Sequence, residues 1–289
     1  MIVVAGGSGV LGRSVVSELT RAGERVRVLA RDTAYAESVV GDRVEVVAAD
    51  VRRPDGLDRL VAGASAVVSA VHGFLGGRGA GPTDVDVRGN AHLTDAARAN
   101  GAHMVLVSVL PAATDSPVDL FRAKAEAERY LMGSGASWTI VRSGPFLETW
   151  LDVLTQTAGK AGRPVVFGNG EQPIGFVSAA DVAALVAGAA TDAAYRSQIL
   201  EISGPPLTMN ELADALQRAR GWTGPPRHIP PQVLRLLATV TRPVAPAFAR
   251  KNRTALQMDT EPGRAPGPEQ AAWSIRRTLA DVLDEVVAT

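Results

Sequence analysis

Six short runs of apolar residues recur along the first half of the chain, separated by segments with helical periodicity. These runs span residues 2–5, 26–29, 44–48, 66–70, 104–108 and 139–141. Strands that alternate with helices predict right-handed βαβ units, and continuously apolar strands predict a parallel sheet that helices cover on both faces. We therefore predict an α/β fold of the Rossmann type, a doubly wound parallel sheet with ligands at the carboxyl ends of its strands.

The pattern changes near residue 145, where proline and glycine become frequent and short apolar segments alternate with helices. Residues 1–144 are accordingly predicted to form the Rossmann-type domain that contains this sheet. Residues 145–289 are predicted to form mainly a smaller C-terminal lobe that binds the substrate.

Two features of the lobe can be predicted from local sequence. Thr208 and Glu211 have the spacing of a capping box, which predicts the start of a helix that Gly221 ends. The segment 223–268 is rich in proline and arginine, and we predict an irregular wrap with a short helix at 232–239.

Composition narrows the possible functions. The 289 residues carry 30 basic and 30 acidic side chains without a long run of either sign, so no nucleic acid or membrane partner is expected. No residue is a cysteine, which excludes disulfides and thiolate chemistry, and the four histidines lack the spacing of metal ligands. We expect a cytoplasmic monomer or homodimer that binds no metal and acts on a small-molecule substrate.

A glycine-rich turn directly follows the first apolar run and precedes a helical pattern at 13–21. The residues of this turn are Gly6, Gly7, Ser8, Gly9, Val10, Leu11 and Gly12. Glycines between a strand and a helix permit a tight turn and a close approach of the backbone to a pyrophosphate, whose charge the helix start attracts. The turn predicts a dinucleotide site; the alternative is a glycine turn that binds nothing.

Several longer segments, together with this turn, resemble the short-chain dehydrogenase/reductase superfamily in its extended, atypical branch of NmrA-like, NAD(P)-binding proteins. The segments are GGSGVLG at 6–12, VRVLARD at 26–32, AADV at 48–51, VDVRGNAHLTDAARANGAHMVLVS at 85–108, FRAKAEAERYL at 121–131, IVRSGPFLE at 140–148 and PIGFVSAADVAA at 173–184. The resemblance covers roughly the whole chain. It implies that residues 1–144 are an NAD(P)-binding Rossmann domain and that residues 173–190 return from the lobe to the Rossmann core.

The resemblance also implies a preference for NADPH over NADH. In NAD-specific relatives an acidic side chain ends the second strand, and that position is Ala30 here. Arg31 follows and can hold the 2′-phosphate of NADP, helped by Arg13. Asp32 leaves an alternative open, because a small shift in register would make it the acid that binds the ribose.

Further cofactor contacts are implied at the ends of other strands. Asp50 and Val51 are expected to contact the adenine, although Asp50 could instead cap the turn toward Pro54. The remaining implied contacts are Ala70, Val71, Lys124 and Pro145.

The catalytic residues of ordinary reductases in this superfamily are only partly present. Those enzymes use a tyrosine four residues before a lysine, and a serine near the end of the fifth strand. Ser108 and Lys124 match two of these positions, but the tyrosine position is Leu120. Lys124 could alternatively be a solvated lysine paired with Glu128 one helical turn on. His72, after the fourth apolar run, is a third catalytic candidate, as a proton donor.

Three functions are compatible with these residues. The first is a reductase that passes hydride from NADPH to a quinone, an enone or a similar carbonyl, and the second is a non-catalytic, NADP-sensing regulator of the NmrA type. The third is a nucleotide-sugar epimerase or dehydratase, which Leu120 weakens because sugar oxidation requires a strong base. The predicted substrate pocket consists of His72, Phe74, Phe146 and Trp150, and the glycine-rich loop at 76–81 is a candidate lid.

Overall fold

The computed structural model describes residues 1–261 and 275–288. Its strands are β1 (Ile2–Ala5), β2 (Val26–Ala30), β3 (Glu45–Ala48), β4 (Ala66–Ser69), β5 (His103–Val109), β6 (Trp138–Ser143), β7 (Val165–Phe167), β8 (Ile174–Gly175), β9 (Gln198–Ile202), β10 (Pro206–Leu207) and β11 (Arg227–Ile229). Its α-helices are α1 (Val10–Arg21), α2 (Thr33–Val40), α3 (Leu57–Val61), α4 (Asn90–Ala99), α5 (Asp119–Gly133), α6 (Leu147–Ala158), α7 (Ala179–Thr191), α8 (Met209–Arg220), α9 (Pro231–Val240), α10 (Pro246–Thr260) and α11 (Leu279–Ala288). A π-helical segment, Thr83–Gly89, leads directly into α4.

Seven of these strands form one sheet in the order β3-β2-β1-β4-β5-β6-β9. The ladders that join β3 through to β6 are all parallel, with Ile2 of β1 opposite Val26 on one side and Ala66 on the other. Successive strands are added on one side of β1 as far as β3, and on the other side from β4 onward. The strand order therefore reverses between β1 and β4, which confirms the predicted doubly wound, Rossmann-type fold.

The central strand β1 is buried along its whole length because helices cover the sheet there. Since side chains alternate across a strand, Val3 and Ala5 share one face, where they join a single apolar cluster with Leu57, Leu93 and Leu131 of α3, α4 and α5. Burying each of these leucines contributes roughly 1.5–3 kcal/mol. This core holds the carboxyl ends of β1 and β4 in place.

The prediction that helices cover every strand on both faces is wrong for β3. Glu45 and Ala48 are exposed, and the two valines between them are only half-buried, because β3 is an edge strand. Glu45 forms an ion pair with Arg27 of the neighbouring β2 at 3.0 Å. A charged side chain on an edge strand hinders further pairing with other chains.

The predicted short helix at 232–239 is confirmed as α9, but the irregular wrap predicted around it is wrong. A second helix, α10, spans fifteen residues and begins at Pro246. Proline is compatible with the first helical position because the N–H that it lacks has no partner within the helix there. α9 and α10 pack against each other. Residues 262–268 of the predicted wrap lie outside the described residues.

The chain divides into two compact units. The first consists of Met1–Ser143 with Val182–Glu201, and the second of Gly144–Asp181 with the described residues from Ile202 onward. The assignment of cofactor binding to one unit and substrate binding to the other stays a prediction.

The second unit has its own apolar core, built from α6, α8 and α11 through Leu151, Leu212 and Val282. The predicted capping box at the start of α8 is confirmed, since the Thr208 hydroxyl accepts from the Glu211 N–H and the Glu211 carboxylate accepts from the Thr208 N–H. Gly221 ends the helix in the left-handed conformation, also as predicted.

Candidate active site

The glycine turn joins β1 to α1 where the strand order reverses. α1 begins at Val10, earlier than the predicted 13–21, because Gly9 has the extended backbone of an N-cap and its carbonyl accepts from the Arg13 N–H at 2.9 Å. No side chain caps this helix, and its first turn contains no acidic residue. The first N–H groups of a twelve-residue helix are thus available to an anion.

The backbone around the turn requires glycine. A Cβ atom on Gly12 would lie 2.0 Å from the Gly6 carbonyl oxygen, and one on Gly6 would lie 2.9 Å from the Ala70 carbonyl. Gly6 also has a φ of 82°, which other residues rarely adopt. Gly9 and Val10, by contrast, are exposed at the start of the helix. The turn is closely packed at Gly6 and Gly12 and accessible at Gly9 and Val10, so a pyrophosphate group fits at the start of the helix.

The end of β2 presents a cation rather than an acid. Arg31 follows the last residue of the strand and is exposed, as is Arg13 in the first turn of α1. Asp32 is the N-cap of α2, and its Oδ1 accepts from the Tyr35 N–H at 3.0 Å. The Asp32 carboxylate, which was the alternative candidate for binding the ribose, is therefore engaged as a helix cap.

Asp50, after β3, is held by an arginine two residues on. Its Oδ1 accepts from the Arg52 backbone N–H at 3.0 Å, and both of its oxygens accept from the Arg52 guanidinium. These bonds lower the pKa of Asp50 to about 2 against an opposing desolvation. Arg52 also donates to the Gly79 carbonyl in the glycine-rich loop. The neighbouring Val51 is half-buried.

Lys124 is buried, so the alternative of a solvated lysine paired with Glu128 is wrong. Its Nζ lies 3.0 Å from Oδ1 of Asp86, and the two side chains are 5% and 0% exposed. Nζ also donates to the carbonyl oxygens of Val71 and Val107, each at 3.0 Å. Glu128 instead forms an ion pair with an arginine of β6. Lys124 therefore joins the ends of β4 and β5 through a buried charge.

The Lys124–Asp86 pair fixes the backbone on both sides of His72. The Val71 carbonyl accepts from Lys124, and the Gly73 N–H donates to Oδ2 of Asp86 at 2.7 Å. The other carbonyl that binds Lys124, on β5, immediately precedes Ser108. The structure thus brings the three predicted catalytic residues to the carboxyl ends of β4 and β5.

His72 and Ser108 differ in how they are presented there. His72 keeps exposed surface, yet the protein atoms around its ring desolvate it and lower its pKa; the Asp86 carboxylate opposes this shift and the Lys124 charge adds to it. Desolvation of the ring therefore disfavours its charged, imidazolium form. Ser108 is buried, and its hydroxyl has no hydrogen-bond partner among the described residues. Such a group is expected to bond a ligand or a water molecule.

Sequence reasoning missed Asp86. It lies in the middle of the π-helical segment, a rare conformation that often marks functional sites. The sequence shows an acid between Val85 and Val87, both apolar, which is the only local signal that this carboxylate faces the interior. Its partner on α5 is 38 positions away, so local pattern could not pair them.

The other predicted contacts are distributed over both units. Ala70, Val71 and Phe74 belong to the first unit and are half-buried. Pro145, Phe146 and Trp150 belong to the second unit, where the Pro145 carbonyl accepts from the Val177 N–H at 3.0 Å and Phe146 is the N-cap of α6.

A shallow recess, open to solvent, lies within the second unit. Its lining consists of Trp150, Phe167, Gly170, Gln172, Ile174, Met209, Ala255, Met258 and Asp259. Asp259 accepts from the Gly170 N–H at 2.8 Å through Oδ1, while its buried Oδ2 has no hydrogen-bond partner among the described residues. Of the predicted pocket residues, only Trp150 lines this recess, and its ring meets Phe176 edge-on at 6.5 Å.

Residues 6–193 match the sequence profile of a family described as NAD(P)H-binding. The chain belongs to this NAD(P)H-binding family. The match begins at the first glycine of the turn and includes the site residues of the first unit described above, from Gly6 to Lys124. It confirms NAD(P) as the cofactor class and agrees with the predicted relation to NmrA-like, extended short-chain dehydrogenases/reductases.

Several relatives of the NAD(P)H-binding family can be compared over most of their length. The chain is 31% identical to an NAD(P)H azoreductase of Xenophilus azovorans over 222 residues, 76% of this chain and 74% of that protein. It is 30% identical to the (4-alkanoyl-5-oxo-2,5-dihydrofuran-3-yl)methyl phosphate reductase of Streptomyces griseus over 271 residues, 91% and 90% of the two chains. The fold is similar to that of an NADPH-dependent quinone oxidoreductase from Escherichia coli complexed with NADPH, with a TM-score of 0.76, 22% identity and 99% coverage of both chains.

Proposed function

We propose that this protein is an NAD(P)H-dependent oxidoreductase that transfers hydride from NADPH to a small organic acceptor such as a quinone, an enone or a similar carbonyl. The observation that carries the proposal is the buried Lys124–Asp86 pair, which fixes the backbone beside both His72 and Ser108. The NAD(P)H azoreductase and the (4-alkanoyl-5-oxo-2,5-dihydrofuran-3-yl)methyl phosphate reductase among the relatives support the same class of reaction.

The glycine turn would hold the pyrophosphate of the cofactor through backbone N–H groups at the start of α1. Arg31 and Arg13 would hold the 2′-phosphate, and the use of Asp32 as a helix cap supports this choice. The cofactor supplies the hydride when it is bound. The further proposed contacts are Asp50, Val51, Ala70, Val71, Lys124 and Pro145.

Side chains of the protein would orient the acceptor and donate hydrogen bonds to the oxygen that becomes protonated. The unpartnered Ser108 hydroxyl is suited to bind the acceptor oxygen, and an N–H group of the His72 ring can donate a hydrogen bond to the same oxygen. The positive charge of Lys124 stabilises negative charge that develops nearby. Leu120 occupies the tyrosine position, but a quinone or an enone needs little acid assistance, since its reduced form takes a proton readily.

Loss of NADPH absorbance with a panel of quinones and enones tests the reaction. Replacing Lys124 alone would leave a buried carboxylate without a counter-charge, which costs roughly 3–5 kcal/mol of stability. The informative variant therefore combines Lys124→Met with Asp86→Asn, which removes both charges and keeps an acceptor for the Gly73 N–H. We expect kcat to fall by about 100-fold or more, while NADPH still binds to the unchanged glycine turn.

Quenching of tryptophan emission by NADPH and thermal unfolding of each variant separate catalysis from binding and folding. Arg98→Gln with Asp95→Asn, which removes an exposed ion pair on α4, is the matched control for loss of a charge pair. A double variant that folds, binds NADPH and keeps full turnover contradicts the role proposed for the Lys124–Asp86 pair. Tight NADPH binding without turnover of any acceptor by the unaltered protein would favour the NADP-sensing regulator instead.

The preference for NADPH has its own test in Arg31→Gln. A charge-assisted contact to phosphate contributes about 1.5–3 kcal/mol, so kcat/KM for NADPH should fall about 10- to 150-fold while the value for NADH changes little. Arg21→Gln, at the opposite end of α1, serves as the control. Equal use of NADPH and NADH by the unaltered protein would contradict this assignment.

A further inference from the structure

The helices α9 and α10 carry a concentration of exposed apolar side chains. Of the large apolar side chains that are exposed among the described residues, half lie between residues 233 and 248. Their exposed fractions are Val233 42%, Leu236 62%, Val240 61%, Val244 83% and Phe248 46%. Contiguous exposed apolar surface of this kind usually marks an interaction site.

These side chains form a stripe that is separate from the face that packs on the protein. On α9, Val233, Leu236 and Val240 have the spacing of one helix face, whereas Leu234 and Ala238 are buried. The stripe continues through Val244 and Phe248 into α10, whose buried residues follow other positions. α9 therefore has one apolar face for the core and a second apolar face in solvent, while Val244 in the connection and Phe248 on α10 add to the exposed apolar side chains.

The same region is strongly basic, although the chain as a whole is neutral. Between Asp214 and Asp259 the sequence contains eight arginine and lysine residues and no acidic residue. Arg242 is exposed between Val240 and Val244, and Lys251 is exposed one helical turn after Phe248. Arg235 is exposed on another side of α9. We call these three cations, with the five exposed apolar residues, the basic apolar patch.

We infer that the basic apolar patch docks the protein on the surface of an anionic lipid bilayer. Exposed aliphatic side chains flanked by arginine and lysine are typical of helices that lie in the membrane interface. A bilayer accepts valine and leucine side chains without shape complementarity. No helix among the described residues is long and apolar enough to cross a membrane, so the contact is peripheral.

Two other occupants fit the patch less well. A second copy placed by two-fold symmetry would bring the same cations against each other, which is repulsive. A protein partner is usually anchored by tryptophan, tyrosine or arginine at the centre of the contact, whereas valine and leucine, which dominate this patch, are under-represented among such anchors.

Sedimentation of the full chain with phospholipid vesicles tests the inference without cofactor or acceptor. We expect binding to vesicles of equal parts phosphatidylglycerol and phosphatidylcholine, weakened by salt, and little binding to phosphatidylcholine alone. Each cation at the surface changes the partition coefficient about fivefold. The triple variant Arg235→Gln, Arg242→Gln and Lys251→Gln should therefore bind about 100-fold more weakly, and Leu236→Ser with Val240→Ser at least about tenfold more weakly.

The controls remove equivalent groups from the first unit. Arg21→Gln, Arg98→Gln and Arg129→Gln change the net charge by the same amount, and Met132→Ser removes another exposed apolar side chain. Vesicle binding that is absent, or that the patch and control variants weaken equally, overturns the inference. A dimer that Leu236→Ser and Val240→Ser convert to monomer, without vesicle binding, would assign the patch to self-association instead.

Discussion

His103 is a buried histidine whose hydrogen bonds define its protonation. Its Nδ1 lies 2.8 Å from the Ser137 hydroxyl, and its Nε2 lies 3.0 Å from the Thr139 hydroxyl. Thr139 donates its own proton to the Tyr195 carbonyl at 2.6 Å, so it must accept from Nε2–H. We assign the neutral ring with its proton on Nε2, because Ser137 can then donate to Nδ1.

The unfolding free energy should depend on pH through this residue. Desolvation, assisted by the charge of Arg196, lowers the pKa of His103 from 6.5 to about 4. Between these values the unfolded chain binds more protons than the folded one, so stability is present above pH 6.5 and is lost as the pH falls toward 4. From pH 7 to pH 5, His103 should reduce the unfolding free energy by about 2 kcal/mol.

Urea unfolding at the two pH values, compared between the unaltered protein and His103→Gln, measures this contribution. The glutamine variant is expected to be less stable at pH 7 and to lose less stability on acidification. An identical loss in both proteins would show that other groups cause the pH dependence.

At the level of single residues, sequence predicted the candidate site unevenly. Lys124 and Ser108 could be placed because they occupy fixed positions relative to one helix and one strand. Asp86 could not, because its role depends on a π-helical register and on a distant partner. Whether Asp50 binds a ligand or caps a turn was also undecidable from sequence, since the Arg52 side chain that engages it adopts one of many possible rotamers.

Among the elements, the start of α7 depends on a residue from another helix. Both carboxylate oxygens of Glu148, on α6, accept from the Ala179 N–H at 3.0 Å, and Oε1 also accepts from the Ser178 hydroxyl. The negative charge satisfies an N–H at the helix start and complements the helix dipole.

Glu148→Gln should lower the unfolding free energy by about 1–2 kcal/mol, because it removes the charge but keeps one acceptor oxygen. Thermal unfolding measures the loss, and Glu126→Gln, at an exposed position of α5, is the control. A melting temperature that falls equally in both variants would contradict a specific role for this cap.

The helices and strands were largely predictable where the hydrophobic periodicity agrees with the residues that start and end such elements. All six apolar runs became strands of the main sheet, and the capping box placed the start of α8. α10 was missed because frequent proline suggested irregular structure, although Pro246 occupies the one helical position that tolerates it. The exposure of β3 follows from its place at the sheet edge, which only the strand order reveals.

At the scale of the whole molecule, the balance of 30 acidic and 30 basic residues concealed an uneven distribution of charge. Net charge gives no information about how charges are arranged along the chain or across the surface. The exposed stripe on α9 could not be read from sequence either, because its periodicity is equally consistent with a buried face.

The basic apolar patch affects how the whole protein orients near a charged surface. With a sequence pI near 6.9, the protein has almost no net charge at neutral pH, so the cations of the patch act on it mainly through the electric dipole that they contribute. A neutral dipole feels a torque near a charged surface before it feels an attraction. The protein should therefore turn α9 and α10 toward any anionic surface while still a Debye length away, so its orientation is set before contact.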